Sequence, residues 1–425
     1  MKSLDAKLAE IKANPASRAF ILADAKDADM AFGVRAMGPR HYLSSHGAQA
    51  ARFSPEVWTR EEFGHRNLPE FLDIIREVVG QGLVDIMLMS ASVNEQLAIK
   101  EGLFRKSHVT PAARANDATD VWAVRHGSYL REPSHPFRSA TIDHIQCGQA
   151  QCDRSADDVP GANLGLYSIT FVNNLEQDLA SLQAFKEFRV EAERKKFRYF
   201  LEVFDPNVAS GIPPEKLGEF INDNIVRSLA GVTSAGRPLF LKIVYHGPRL
   251  MEELAQYDPH LIVGVLGGSA GTTHDAFRLI HDAQKYGARV ALFGRKINNA
   301  EHQLAFIEML RLITDGRIAP DEAVRAYHNI LGKLGIQPKR TLEKDLLLTD
   351  QAMSYGGSPT RVNVPIAANP LAQAIAPAAA PKPPAAQAAN APAWPVHPDG
   401  SPDFATMTSA QRRAYDADRL KRRFG

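Results

Sequence analysis

Between Pro238 and Asn299 the chain passes three times through one short cycle of apolar run, loop and helical pattern. The three pieces are PLFLKIVYHGP, LIVGVLGGSAGTTHDAF and ARVALFGRKINN. A short continuous apolar run of this kind predicts a strand buried on both faces, as in a parallel sheet covered by helices.

The cycle extends backwards through the chain. Strands are predicted at Ala19–Ala23, Val84–Met89, His108–Arg114, Leu164–Asn173 and Arg198–Phe204. Helical spacing is found at Leu4–Ile11, Leu68–Gly80, Asn94–Gly102, Leu175–Lys196, Pro213–Leu229, Leu304–Thr314 and Pro320–Leu334. Counting the opening stretch, that makes about eight strands alternating with helices, the pattern of a (β/α)8 TIM barrel. A doubly wound open sheet is the alternative. The barrel is preferred because polar residues fall at the ends of strands far apart in sequence, and only a closed barrel gathers those ends at one mouth. Residues 1–340 are assigned to the barrel.

Two regions depart from the pattern. The segment from Gly33 to Phe63 reads as a long loop over the barrel mouth. Residues 117–161 read as an irregular insertion holding His126, His135, His144, Cys147 and Cys152. That inventory invites a zinc reading, but the spacing fits no zinc pattern, and a solvated loop is the preferred reading. After residue 340 the fold runs out. Residues 341–397 form an Ala/Pro-rich linker, expected to be disordered because such a composition buries no core. Residues 398–425 form a short basic helix opened by a Thr408–Gln411 capping box. That helix is either a frayed tail or a peptide that engages a protein partner.

Composition narrows the function classes. A net charge of +2 over 425 residues gives no case for nucleic acid or an acidic membrane surface. No run is long and apolar enough to span a bilayer, and no secretory h-region opens the chain. Two cysteines suggest a reducing compartment, and the cytoplasm is the expectation.

The chemistry gathers on a few strands. Alternation puts Phe240, Lys242, Val244 and His246 on one face of their strand. A lysine inside a barrel is costly to keep charged, and a neutral amine is what attack on a carbonyl needs. Glu202 lies in FLEVF between Phe200 and Phe204, an environment that suits a general acid/base or an ion pair with Lys242. Asp24 ends the first strand, with Lys26 on the same face, and either would orient a substrate hydroxyl. Gly267, Gly268 and Ser269 precede a helix start, where backbone N–H groups hold anions. Gly294 and Arg295 close the next strand and would complete a phosphate clamp.

These motifs resemble those of the class I (Schiff-base) aldolase superfamily, in particular archaeal-type fructose-bisphosphate aldolases and tagatose-bisphosphate aldolases. LKIVYHG resembles the sixth strand with its imine lysine, VLGGSAG the seventh-strand phosphate turn and FGRKINN the eighth-strand Gly-Arg turn. FLEVF resembles the fifth strand with a glutamate acid/base, and LADAKDAD the first strand with its aspartate. Phe204 stands near a tyrosine of the archaeal-type enzymes, and LGLYSITFVN lacks the fourth-strand lysine of the tagatose type. The resemblance implies an aldolase acting on a phosphorylated ketose or related carbonyl compound. Together with the strand-face reading, this makes Lys242, Glu202 and Asp24 the expected catalytic residues, and Gly267, Gly268, Ser269, Gly294, Arg295, Lys26 and His246 the expected contacts of substrate or phosphate. It implies no cofactor and no metal, a small phosphorylated sugar as ligand, and a homo-oligomer. A silent sugar-phosphate-binding barrel, or a lyase or isomerase with Lys242 as general base, remains the alternative.

Overall fold

The structure is a computed structural model that describes residues 1–39 except Pro15, residues 65–349 except Ser269 and Ala270, and scattered positions between Trp394 and Asp418. It divides into two units, Met1–Val362 and Asn363–Gly425.

Eight parallel strands close the first unit into a barrel. They are β1 (Ile21–Lys26), β2 (Ile86–Met89), β3 (Thr110–Arg114), β4 (Leu164–Thr170), β5 (Arg198–Phe204), β6 (Leu241–Ile243), β7 (Gly264–Leu266) and β8 (Val290–Phe293). β1 pairs with both β2 and β8, which closes the ring and settles the choice against an open sheet.

Because side chains alternate along a strand, each strand serves two cores. Ile21, Ala23, Ala25, Ile86, Leu88, Ala112, Leu164, Leu166, Phe200, Phe240, Val290 and Leu292 fill the inside. Leu22, Met87, Leu201, Ile243 and Phe293 face the surrounding helices. The rings of Phe200 and Phe240 stack with centroids 4.7 Å apart, forming an apolar floor beneath the mouth. The first helix, α1 (Ser3–Ala13), presents Leu4, Leu8 and Ile11 to the inner core and stops the bottom of the barrel.

Local signals set the helix boundaries. Helix α2 (Leu68–Gln81) starts at a capping box between Asn67 and Glu70. It stops at Gly82, whose φ of 71° is left-handed backbone that glycine adopts without a Cβ penalty. The helices that follow β4 to β7 are α3 (Leu175–Arg194), α4 (Leu217–Leu229), α5 (Pro248–Tyr257) and α6 (Thr273–Lys285). Two more, α7 (Gln303–Thr314) and α8 (Pro320–Lys333), close the layer.

The 117–161 insertion is more ordered than its sequence suggests. Asp117–Ala118 pairs with Pro136–Phe137 as a small antiparallel ribbon, and Ile142–Cys147 forms a helix. Cys147 and Cys152, read from the sequence as sparse thiols of a reducing compartment, instead pair as a disulfide, so they give that reading no support. Ala118 and Val121 pack with Ala31, Phe32, Phe204, Val244 and Leu266 into an apolar roof over the mouth. Most of the Gly33–Phe63 loop lies outside the described residues.

One boundary differs from expectation. Residues 341–349, read as the start of the linker, are docked on the barrel: Leu342–Asp345 is helical, and Asp345, Leu346, Leu347 and Thr349 all bond to residues 272–275. The Leu-rich content of LEKDLLLT distinguishes this piece from the Ala/Pro tract, which lies outside the described residues. In the second unit, Thr408 and Gln411 form the expected capping box, and the Trp394 and Tyr415 rings meet edge to face at 5.4 Å. The basic end from Arg419 lies outside the described residues.

Leu4 is fully buried at the barrel bottom. Leu4→Ala is expected to cost about 3 kcal/mol through lost burial and a residual cavity, read as a lower denaturation midpoint with an unchanged slope.

Candidate active site

Register places the polar groups of the mouth side by side. Ser168 on β4 is the register partner of Glu202 on β5, and Glu202 is the partner of Lys242 on β6. Register partners on parallel strands point to the same face, so the three side chains form one row on the inner wall. Lys242 Nζ lies 2.5 Å from Glu202 Oε1, and the Ser168 hydroxyl donates to Glu202 Oε2 at 2.8 Å. Glu202 is fully buried and Lys242 nearly so. A carboxylate so placed must be matched on both oxygens, and here one oxygen faces the ammonium and the other a hydroxyl.

Arg114, at the end of β3, extends the row on the other side. Its Nη1 donates to Asp27 Oδ2 at 2.7 Å, its Nε donates to the Asn116 carbonyl at 3.1 Å, and its Nη2 lies 3.4 Å from Ser168 Oγ. The Asn116 side chain clamps the Ser168 backbone, accepting from its N–H and donating to its carbonyl. Ala25, Asp27, Phe32, Arg114, Lys242, Gly267, Gly268, Gly294 and Arg295 line a small cleft of about 40 Å³ at the mouth.

The glycines are there for space. A Cβ on Gly267 would lie 2.2 Å from the Phe293 ring, and one on Gly294 would lie 3.0 Å from the Ala25 carbonyl oxygen. Arg295 holds its guanidinium 5.6 Å from the centre of the Phe32 ring. Ser269 lies outside the described residues.

Three expectations need correction. Asp24 and Lys26 do share a face, but it is the outer one. Asp24 pairs in register with Phe293 and Met87, and Lys26 with Met89, all residues that face the helices. The two are fully buried behind the barrel wall as an ion pair, with Lys26 Nζ 2.7 Å from Asp24 Oδ2. Burial raises the Asp24 carboxyl above its ordinary range and lowers the Lys26 ammonium below its own. The acid that reaches the mouth from the end of β1 is Asp27.

His246 also misses the cleft. β6 ends at Ile243, so strand alternation does not carry to residue 246. Its Nε2 sits 2.9 Å from Asp205 Oδ1, and the side chain backs onto Gly218.

The start of α6, expected to hold phosphate, is filled by its own chain. Thr272 and Asp275 form a capping box, and Asp345 Oδ1 accepts from the Thr273 N–H at 2.8 Å. Lys296, its ammonium pushed down to about 8 chiefly by burial, donates to the Gly271 carbonyl at 2.8 Å. Of the residues expected to hold phosphate, Gly267, Gly268, Gly294 and Arg295 line the cleft.

The sequence reading missed Ser168, Arg114, Asp27 and Asp120. Asp120, from the insertion, accepts from Thr170 Oγ1 at 2.7 Å and from Ser134 Oγ at 2.8 Å. Thr170 is the register partner of Phe204. Burial raises the Asp120 carboxyl above its ordinary range.

Among the described residues no group of three or more His, Cys, Asp or Glu could hold a metal ion, and no helix is long and apolar enough to cross a membrane.

No protein-family model and no curated protein matches the chain. Solved structures do match, and several of them are fructose-bisphosphate aldolases. The fold they share with this chain is the (β/α)8 barrel. The fructose-bisphosphate aldolase from Slackia heliotrinireducens is 12% identical, with a TM-score of 0.50 over 81% of this chain and 92% of that one. An archaeal fructose 1,6-bisphosphate aldolase is 13% identical, with a TM-score of 0.49 over 73% of this chain and 99% of that one. At these identities the likeness to the Slackia enzyme shows a shared barrel and nothing finer.

Two measurements test this geometry. Asp27→Asn leaves the buried Arg114 guanidinium without its carboxylate and should cost about 3 kcal/mol, while adding Arg114→Met should cost less than the sum of the two single changes. Asp29, which accepts from Ser90 Oγ at 2.6 Å, is raised to about 6, chiefly by burial. The folded state then holds a proton that the unfolded state has lost between pH 4 and 6, so stability should fall with rising pH across that window. Asp29→Asn should remove that fall and raise the melting temperature at pH 7, by up to about 2 kcal/mol of stability.

Proposed function

We propose that this chain is a Schiff-base aldolase that cleaves or forms a carbon–carbon bond in a phosphorylated ketose or related carbonyl compound. The observation that carries the reading is the inward row Ser168–Glu202–Lys242, which sets an amine against a carboxylate at the mouth of a class I aldolase-like barrel.

Attack on a ketone needs the neutral amine, and Glu202 stands where it can take the proton from Lys242. The C–N bond forms as the carbonyl π electrons move to oxygen, and the extra proton on nitrogen passes to that oxygen, giving a neutral carbinolamine. Protonation of that oxygen, with Glu202 as the donor in reach, lets it leave as water and leaves an iminium ion. Glu202, left as a carboxylate, then takes the proton of the substrate's β-hydroxyl as the carbon–carbon bond breaks. Its electrons flow to the iminium nitrogen and an aldehyde departs. Protonating the enamine carbon and hydrolysing the imine return the free lysine. The iminium is the electron sink, so the scheme calls for no cofactor.

Asp27 takes the hydroxyl-orienting role first expected of Asp24, with Arg114 holding it in place. The Gly267–Gly268 turn and the Gly294–Arg295 turn bind the phosphate through backbone N–H groups and the guanidinium. A silent sugar-phosphate-binding barrel is the second reading. Phe204, two residues beyond Glu202 on the same face, favours it, since a phenyl ring moves no proton.

Borohydride reduction in the presence of dihydroxyacetone phosphate, followed by peptide mass spectrometry, should find a reduced adduct on Lys242 and none in Lys242→Met. Binding without an adduct would favour the silent barrel, and no binding would overturn the phosphate reading. Glu202→Gln should lower kcat by about 10²–10⁴-fold, the usual loss on removing a general acid/base.

A further inference from the structure

A second cleft, of about 610 Å³, opens at the other end of the barrel. Its walls come from the approach to β1, the end of α6, the residue before β8 and the turn between α7 and α8. Arg18, Lys285, Arg289 and Arg317 line it, joined by His281, and the one carboxylate on its lining is Glu322. That carboxylate is committed locally: Glu322 Oε2 accepts from the Ala319 N–H at 3.1 Å as part of the α8 cap. The nearby Asp282 is likewise held by Arg278 Nε at 2.8 Å and by His281 Nδ1 at 3.0 Å.

The cleft is shaped for its arginines. Gly316, at a φ of 69°, leaves space that Arg18 fills: a Cβ there would lie 2.5 Å from Arg18 Nη2. Gln284 ties the cleft wall to the Thr314 carbonyl at 2.9 Å. Arg289 is half-buried, and its guanidinium is pushed below its ordinary range by burial. Three arginines and a lysine line one concavity, with Lys285 Nζ 5.1 Å from the centre of the Tyr286 ring and Arg289 Nη1 donating to the Ala288 carbonyl at 3.3 Å; like charges gathered on one wall repel, and an anion that enters lowers that repulsion. The volume falls within the range of small-molecule sites. Arginine forks match phosphoryl oxygens in pairs.

We propose that this basal cleft binds a small organic anion carrying two or more phosphoryl groups, held by Arg18, Arg289, Arg317 and Lys285. The site is separate from the mouth and does not depend on the aldolase reading. β1 and β8 run from this cleft to the Asp27 and Gly294–Arg295 ends of the mouth, so the two sites share two strands.

The test is calorimetric titration of the full chain with pyrophosphate at low salt. Three proteins are compared: the unaltered chain, Arg18→Ala/Arg317→Ala, and Arg295→Ala. Arg18 and Arg317 are exposed, so the double variant should fold normally. Binding should weaken at least tenfold in the double variant, persist in Arg295→Ala, and weaken as sodium chloride is raised. Equal binding by the double variant, loss of binding in Arg295→Ala alone, or no binding by the unaltered chain would each overturn the proposal.

Discussion

The Lys242–Glu202 contact is the constraint on which the rest of the mouth depends. Two opposite charges with almost no access to water are tolerable only if every charged atom is matched. Glu202 cannot turn away from the lysine, because its other oxygen is held by Ser168. Ser168 is in turn held by both ends of the Asn116 amide. Below lies the stacked Phe200–Phe240 floor, and above lies the roof of Phe204, Val244 and Leu266. With apolar surface on both sides, the lysine and its carboxylate hold the polar layer between them. A site built this way is pre-organised by packing before any substrate arrives.

What could be read from the sequence follows from where strand alternation is self-evident. FLEVF and LFLKIV are long enough, and carry one polar residue each, so the inward parity of Glu202 and Lys242 was legible. ILADAKD was not. Both of its faces are buried, its inward residues are the small Ala23 and Ala25, and it offers acids at both parities, Asp24 and Asp27. The parity is fixed by pairing with Leu292 on β8 and Ile86 on β2, which is tertiary information. A one-residue error of phase moves every side chain to the other face, and here it exchanged Asp27 for Asp24. His246 failed for a related reason, because the strand stops three residues before it. Arg114 and Ser168 each stood within a predicted strand. Counting by twos from the apolar inward residues Ala112 and Leu166 reaches both.

The anion corner shows a different limit. Glycines before a helix read as a phosphate site because a helix start offers unpaired N–H groups. The sequence signal was sound as local physics. The start of α6 is nevertheless satisfied from 72 and 74 residues away in the chain, where Asp345 and Thr349 reach Thr273 and Asp275. A carboxylate delivered by a distant segment is invisible to any reading of neighbours. Its effect is to tie the last piece of the barrel unit to the base of the glycine turn, so the turn is braced from behind while its front faces the cleft.

That cleft sets a requirement of its own. About 40 Å³ holds a few water molecules and not a sugar phosphate. The floor cannot yield, since it is the packed inside of the barrel. The ion-pair row cannot yield without exposing buried charge. Among the described residues the roof is built of separate pieces held by apolar packing, with Ala118 and Val121 from the insertion and Ala31 and Phe32 from the segment after β1. On the proposed aldolase reading, admitting a sugar phosphate calls for separating those contacts. The cost is a few buried apolar side chains, each worth about 1.5–3 kcal/mol when fully exposed, and a bound substrate that fills the same space recovers part of it. The insertion that read as a solvated loop is therefore part of the apolar cover over the lysine, through Ala118 and Val121.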